Sequence, residues 1–507
     1  MTFFQLYTEG LPLVLQPDVL FMAVGGVFMG ITIGALPGLT VTMAVAILVP
    51  LTYGFSPLAG ILGLIGIYCG GNYGGSVSAI LVNVPGTPSA VMTGLDGYPL
   101  TLRGKAGKAI GTATITSFIG GFLSVIVLSL VSPVVAKIAI GFTSAEFFAI
   151  GILGLSLIAY LGEGSFLKGL ISGILGLVLA TVGSDPIMGY PRFTFSQADL
   201  FEGIPFIIAM IGLFGVTEIL VQVEKGDHLK KVSQALKNIV PELNTLVKLL
   251  PNVIRSSVIG VIIGAVPGAG GTIASIVSYG QQKRISKEPE KMGKGALEGI
   301  AAAEAANNSC TGGAMLTMLT LGIPGDAVTG ILIGALMIHG LRPGPILFKE
   351  NFEMVSAIFV GMFFANICML VLGLVGAPLF ARLISMPKRF LNAAILAFAV
   401  IGSYSVRNSF FDIGLMLAFG FGGYLMHKVS LPRTPIVLAL ILGPFIEDNL
   451  RRSLLLVRGD ITMFLQTLVS RPISLFILVF TIFLFLFPLL RQKLKLFQWF
   501  QINNDAK

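Results

Sequence analysis

The stretch Gly70-Gly71-Asn72-Tyr73-Gly74-Gly75-Ser76-Val77-Ser78, running on to Asn83-Val84-Pro85-Gly86-Thr87-Pro88-Ser89, decides how this chain is to be read. It is apolar enough to enter a bilayer, but it is a poor continuous helix. Glycine costs about 1 kcal/mol per interior helix site, and proline removes a backbone donor and hinders the turn before it. A second stretch repeats the design: Asn307-Asn308-Ser309-Cys310-Thr311-Gly312-Gly313, then Thr317 and Thr320, then Gly322-Ile323-Pro324-Gly325-Asp326. Each is expected to form a broken helix or a re-entrant hairpin tip.

Further anchors surround these two. Gly34-Ala35-Leu36-Pro37-Gly38 recurs as Gly264-Ala265-Val266-Pro267-Gly268, an offset of 230 (264 − 34). Pro85-Gly86 recurs as Pro324-Gly325 at 239 (324 − 85), and Tyr160 with Ser165-Phe166 as Tyr404 with Ser409-Phe410 at 244 (404 − 160). Three anchors in one order mark a duplicated unit. The expected organisation is a first transmembrane repeat over 1–224, a basic cytoplasmic linker over 225–248, a second repeat over 249–470, and a final crossing with a basic tail over 471–507. That crossing runs from Ile473 to Leu490 and is stopped by Arg491, Lys493 and Lys495.

Loop charges relate the halves. The loop after the second Pro-Gly arm carries Lys283, Arg284, Lys287, Lys291 and Lys294, whereas its counterpart Thr52 to Pro57 carries none. Conversely, Arg103, Lys105 and Lys108 follow the first tip. Basic loops mark the cytoplasmic face, so equivalent loops lie on opposite sides. Inverted-topology repeats, usual in alternating-access transporters, are the expected arrangement.

Composition names the solvent. Of 507 residues 55% are hydrophobic and only 11% charged, with a mean hydropathy of +0.91; a soluble domain carries about 25% charged residues. The fold class expected is an all-α polytopic membrane protein with about 10–14 membrane segments of ~20 residues each. Leu20 to Leu36 reads as a retained crossing, because no basic segment or cleavage site accompanies it. The net charge of +9 reflects cytoplasmic loops rather than nucleic-acid binding. Glycine, 63 residues, exceeds its usual share of about 7%, as close helix packing in membranes favours. Cys69, Cys310 and Cys368 have no metal-ligand spacing, and His228, His339 and His427 are scattered, so neither a disulfide scaffold nor an enzyme is implied.

A break in a membrane helix leaves bare backbone groups at mid-depth. Helix N-termini opening after such breaks suit a carboxylate, and freed carbonyls with side-chain oxygens suit Na⁺. The substrate-binding candidates are Asn72, Gly74, Gly75, Ser76, Pro85, Gly86, Thr87, Asn308, Ser309, Gly312, Gly313, Pro324 and Gly325. The cation-binding candidates are Ser78, Asn83, Asn307, Thr311, Thr320 and Asp326. Ser89 and Thr317 join the same clusters. Pro37, Gly38, Pro267 and Gly268 are candidate flexing arms. For each small polar residue the plainer role is a hydrogen bond to a neighbouring helix, and for Asp326 a helix cap. An ionisable residue inside the membrane is nonetheless a functional hypothesis, which keeps Asp326 foremost and Glu304 behind it. Arg342 reads as an interfacial, snorkelling residue.

The paired Gly-Ala-x-Pro-Gly arms and the two Gly-Gly to Pro-Gly segments closely resemble the TctA family, the large membrane subunit of bacterial tripartite tricarboxylate transporters. The resemblance covers essentially the whole chain. It implies secondary import of a carboxylate such as citrate across the inner (cytoplasmic) membrane, driven by Na⁺ or H⁺. It further implies two partners: a periplasmic solute-binding protein (TctC-like) and a small transmembrane subunit (TctB-like). No cofactor is implied apart from Na⁺ as a candidate coupling ion, and membrane lipid is the remaining partner. No phosphate-binding Gly-x-x-x-x-Gly-Lys-Ser/Thr loop is present. A self-sufficient carboxylate permease, working without a binding protein, is the alternative.

Overall fold

The computed structural model describes residues 3–36, 39–160, 166–185, 187–225, 236, 239–384 and 388–483. Pro37 and Gly38 of the first arm, Ser165 of the third anchor, half of the basic linker and the end of the last crossing beyond Phe483 lie outside the described residues. The described chain is helical throughout, apart from a two-residue antiparallel pairing of Gly183–Ser184 with Pro191–Arg192. It forms two compact units, Met1–Ile140 with Phe206–Leu425, and Gly141–Pro205 with Met426–Lys507.

Two long inner helices organise the first unit, Pro57–Val82 with 26 residues and Leu297–Leu321 with 25. At 1.5 Å per residue each is about 38 Å long, enough to cross about 30 Å of hydrocarbon. Leu58 to Val82 is buried throughout except for Asn72, and so is Gly299 to Thr320. Glycine makes this possible by letting backbones touch. The Pro17–Ala35 helix lies along the first inner helix so closely that a β-carbon on Gly74 would stand 2.5 Å from the Ile31 carbonyl oxygen. The Leu243–Gly264 helix lies along the second in the same way, a β-carbon on Gly313 falling 2.2 Å from the Val261 carbonyl oxygen.

The Gly-Gly segments therefore correct one expectation. Both run inside uninterrupted helices, because close backbone packing offsets the conformational cost of glycine. The breaks fall only where proline enforces them. The first inner helix stops at Asn83, in the left-handed conformation (φ 55°), and the second at Gly322 (φ 71°). Beyond the first break, Pro88–Ala90 makes a single turn and the Val91–Leu102 helix folds back, Thr101 Oγ1 donating to the Ile80 carbonyl at 2.7 Å. Beyond the second, Asp326 opens the Ala327–Ile338 helix with a capping box: its carboxylate accepts from Thr329 N–H at 2.8 Å, and its own N–H donates to Thr329 Oγ1 at 2.9 Å.

The two breaks pack in a similar way. A β-carbon on Gly86 would meet the Gly34 carbonyl oxygen at 1.9 Å, and one on Gly325 would meet the Gly264 oxygen at 2.7 Å. Each tip is also pinned through its backbone, Gly86 N–H to Gly75 O at 3.2 Å and Gly268 N–H to Gly325 O at 2.6 Å.

Among the described residues, six helices are long and apolar enough to cross a membrane: Pro17–Ala35, Ala106–Ala139, Phe206–Glu224, Leu243–Gly264, Phe352–Val375 and Phe410–Lys428. A seventh span arises if Thr434–Leu456 and Ile461–Ser470, bent by 105°, are taken together. Several apolar helices have only 10–17 residues, and the two inner helices carry too much glycine and amide to qualify by apolarity.

The second unit contains that bent pair, the Ser144–Tyr160 and Phe166–Ala180 helices and the short hairpin. Asp185 anchors the hairpin, accepting from Ile187 N–H at 3.0 Å and Met188 N–H at 2.9 Å and pairing with Arg451 at 2.6 Å. Arg192 pairs with Glu447 at 2.6 Å, and Glu447 reaches Arg451 at 2.8 Å. The Met188 and Ile187 amides, with Arg451 adding to them, hold the Asp185 carboxyl down at about 2.

Candidate functional site

The two inner helices meet at their amides. Asn307 Nδ2 donates to the Asn72 carbonyl oxygen at 3.1 Å. That bond fixes which side-chain atom is the nitrogen and leaves Asn307 Oδ1 turned the other way, fully buried and without a hydrogen-bond partner. It faces Gly271, where a β-carbon would lie 2.4 Å from this oxygen and 3.5 Å from Ser89 Cβ of the first tip. An unpaired buried acceptor costs about 1–3 kcal/mol, so this oxygen marks a place suited to a ligand.

The first tip adds two hydroxyls to the same region. Thr87 Oγ1 and Ser89 Oγ lie 3.0 Å apart, and Gly75 makes room for Thr87, since a β-carbon there would stand 2.1 Å from Thr87 Oγ1. The second tip brings Asp326, whose Oδ2 accepts from Tyr68 Oη of the first inner helix at 2.5 Å. Asp326 thus caps a helix and also joins the two halves.

The remaining sequence candidates are spread along the helices. Ser78, Ser309, Thr311, Thr317 and Thr320 each donate to a carbonyl of their own helix, at Gly75, Ala306, Asn308, Ala314 and Leu316, which leaves their lone pairs as the only groups to offer a ligand. Gly312 lies against Ser124, with a β-carbon 2.5 Å from its Oγ. Gly86, Pro324 and Gly325 are buried, Pro85 is half-buried, and Asn83 and Arg342 are exposed. Pro267 precedes Gly268, whose φ is 82°.

Two acids emerge with more partners than their sequence context suggested. Glu304 is fully buried, with Thr93 Oγ1 on its Oε1 at 2.5 Å and Ser117 Oγ on its Oε2 at 2.8 Å. Asn308 Nδ2 donates to Ser117 Oγ at 2.8 Å. Asp96, also fully buried, accepts on Oδ1 from the backbone N–H groups of Gly293, Gly295 and Ala296 at 2.7–2.8 Å, and on Oδ2 from Tyr279 Oη at 2.8 Å. The signal for Asp96 was its position as a lone acid within the apolar run Val91 to Leu102.

Glycine-packed inner helices, each ending in a proline-enforced break and joined by buried amides and carboxyls, define a polytopic membrane protein of the transporter class. The sequence profile of the tripartite tricarboxylate transporter TctA family matches residues 20–438, and the chain belongs to that family. It is 37% identical over 449 residues to an uncharacterised 52.8 kDa protein of Agrobacterium vitis, from the TAR-I ttuC' 3' region, covering 89% of each chain. It is 35% identical over 237 residues to an uncharacterised protein from the TAR-II ttuC' 3' region of the same organism, covering 46% of this chain and 96% of that one. No solved structure matches the chain.

Proposed function

We propose that this chain is the large transmembrane subunit of a binding-protein-dependent secondary transporter. It imports tricarboxylates or related carboxylates across the bacterial inner membrane, driven by a Na⁺ or H⁺ gradient. Family membership supports transport, and one structural observation carries the placement of the site: Asn307 Oδ1, buried and unpaired beside Ser89 and Gly271. The Gly270–Ile285 helix begins there, so the positive end of its dipole favours an anion, while amide and hydroxyl oxygens favour an accompanying cation. The two repeats are inverted in this reading, and their tips open the site alternately to either side. A periplasmic solute-binding protein delivers the carboxylate, and a small transmembrane subunit completes the complex.

The test is uptake of labelled citrate and other carboxylates into proteoliposomes under separately imposed Na⁺ and H⁺ gradients, with and without the two partners. Accumulation only with a gradient and the binding protein is expected. Accumulation without the binding protein would mean a self-sufficient permease, and gradient-independent flux would overturn secondary transport.

A further inference from the structure

We propose that Glu304 carries the coupling proton. The inference rests on the transport reading and names its driving ion. It starts from a buried acid with neutral partners. Glu304 is fully buried, and among the described residues no cation pairs with it. Thr93 from the fold-back helix and Ser117 from the Ala106–Ala139 helix each supply a hydroxyl. Ser76 of the first inner helix is a third hydroxyl beside the same carboxyl, shared with the Tyr73 carbonyl at 2.6 Å. These neighbours are all neutral, so nothing offsets a charge here, and a proton on the carboxyl removes a charge that is costly in this buried position.

The surroundings support a proton rather than a metal ion. Both carboxyl oxygens are occupied by hydroxyls at hydrogen-bond distance, and Ser117 is held in place by Asn308. The titratable neighbours are Tyr73 on the first inner helix, which receives Thr114 Oγ1 at 2.8 Å, and Asp96 on the fold-back helix, bound by three backbone N–H groups and Tyr279. On the Glu304 helix itself stand Glu298, which accepts from Gln282 and Ser286, and Cys310. Arg255 of the Leu243–Gly264 helix is turned to Gln282. Lys108 and Lys137 lie near the ends of the Ala106–Ala139 helix. Asp326, His339 and Lys349, from the segments after the second tip, are committed to or lie beyond the Tyr68 end. Among the described residues, no basic group is bonded to Glu304. Four helices converge on this carboxyl, three from the first half of the chain and its own from the second. A proton taken from the outer aqueous phase as the site loads leaves to the inner phase as it empties, and each cycle returns Glu304 to carboxylate.

Glutamine imitates the protonated acid, so Glu304→Gln separates coupling from binding. In the reconstituted complex, Glu304→Gln is expected to lose accumulation driven by a pH gradient while keeping carboxylate counterflow exchange. Independently, infrared difference spectra recorded across a pH titration should show a protonated-carboxyl carbonyl band in the wild type that Glu304→Gln lacks. If that variant folds poorly, Ser117→Ala serves instead, since it leaves the acid in place and should move the midpoint of the band. Retained pH-driven accumulation in Glu304→Gln, absence of the band from the wild type, or a Na⁺-dependent flux lost in Glu304→Gln without any band would each overturn the proposal. A wild type that moves no carboxylate refutes the transport reading, and the infrared titration still decides the protonation of Glu304.

Discussion

Replacing Asp96 with alanine should destabilise the first unit more than any other single truncation of a polar side chain described above. The carboxylate gathers four donors, three from the backbone of 293–296 and one from Tyr279. Gly293 (φ 85°) and Gly295 (φ 105°) adopt a conformation reserved for glycine, which aims their amides at one oxygen. Hydrogen bonds to a charged group contribute about 1.5–3 kcal/mol each, and an orphaned buried donor costs about 1–3 kcal/mol. The full sum does not apply, because Gly293 is exposed and water can reach its N–H. A net cost of about 3–5 kcal/mol remains for Asp96→Ala, and about 1–2 kcal/mol for Asp96→Asn, which keeps one acceptor oxygen. At about 1 °C per kcal/mol for a chain of this size, Asp96→Ala should unfold about 3–5 °C earlier. The assay is the fraction of monodisperse protein surviving a temperature ramp in detergent, read by size exclusion. An Asp96→Ala midpoint within about 1 °C of wild type would refute the reasoning.

Three further outcomes follow from named contacts. Gly74→Ala and Gly313→Ala place a methyl against a helix backbone and should each cost about 1–3 kcal/mol by overpacking, whereas Gly25→Ala, with open space around it, should be neutral or slightly stabilising; equal thermal midpoints for all three would contradict this packing. Tyr68→Phe and Asp326→Asn should be non-additive, with a coupling energy of about 1–2 kcal/mol in thermal stability, and full additivity would mean that their hydrogen bond contributes nothing. Asp185 has its carboxyl depressed to about 2 from 3.8, so its stabilisation of the hairpin is complete above the unfolded value and lost as pH falls from about 4 toward 2. Protease nicking of the 187–201 loop should therefore rise over that window in the wild type and stay flat in Asp185→Asn.

The membrane class and the proline-enforced breaks were legible because each depends on local chemistry: apolar content and a missing backbone donor. The continuity of the Gly70–Gly75 and Gly312–Gly313 segments was not. A glycine pair reads as a helix breaker until its packing partner is known, and for Gly74 that partner is Ile31, on a different helix. The partners of Asp96 were illegible for a related reason, since most of them are backbone amides some 200 positions away that carry no side-chain signature. Glu304 was noticed as an intramembrane acid, but Thr93 and Ser117 could not be linked to it by spacing. Asn307 stood in the right cluster, and only the structure distinguishes its unpaired oxygen from the occupied hydroxyls of Thr311 and Thr320.

The complete sheathing of the two inner helices bears on how the protein is made. The second inner helix, with Glu304, Asn307 and Asn308 in its middle, gains little from partitioning into lipid alone, so the translocon has weak grounds for releasing it sideways. Leu243–Gly264, long and apolar enough to cross a membrane, precedes it in the chain. Biogenesis then has an order, with the apolar neighbour entering first and offering its backbone at Val261 as the surface against which the reluctant helix settles.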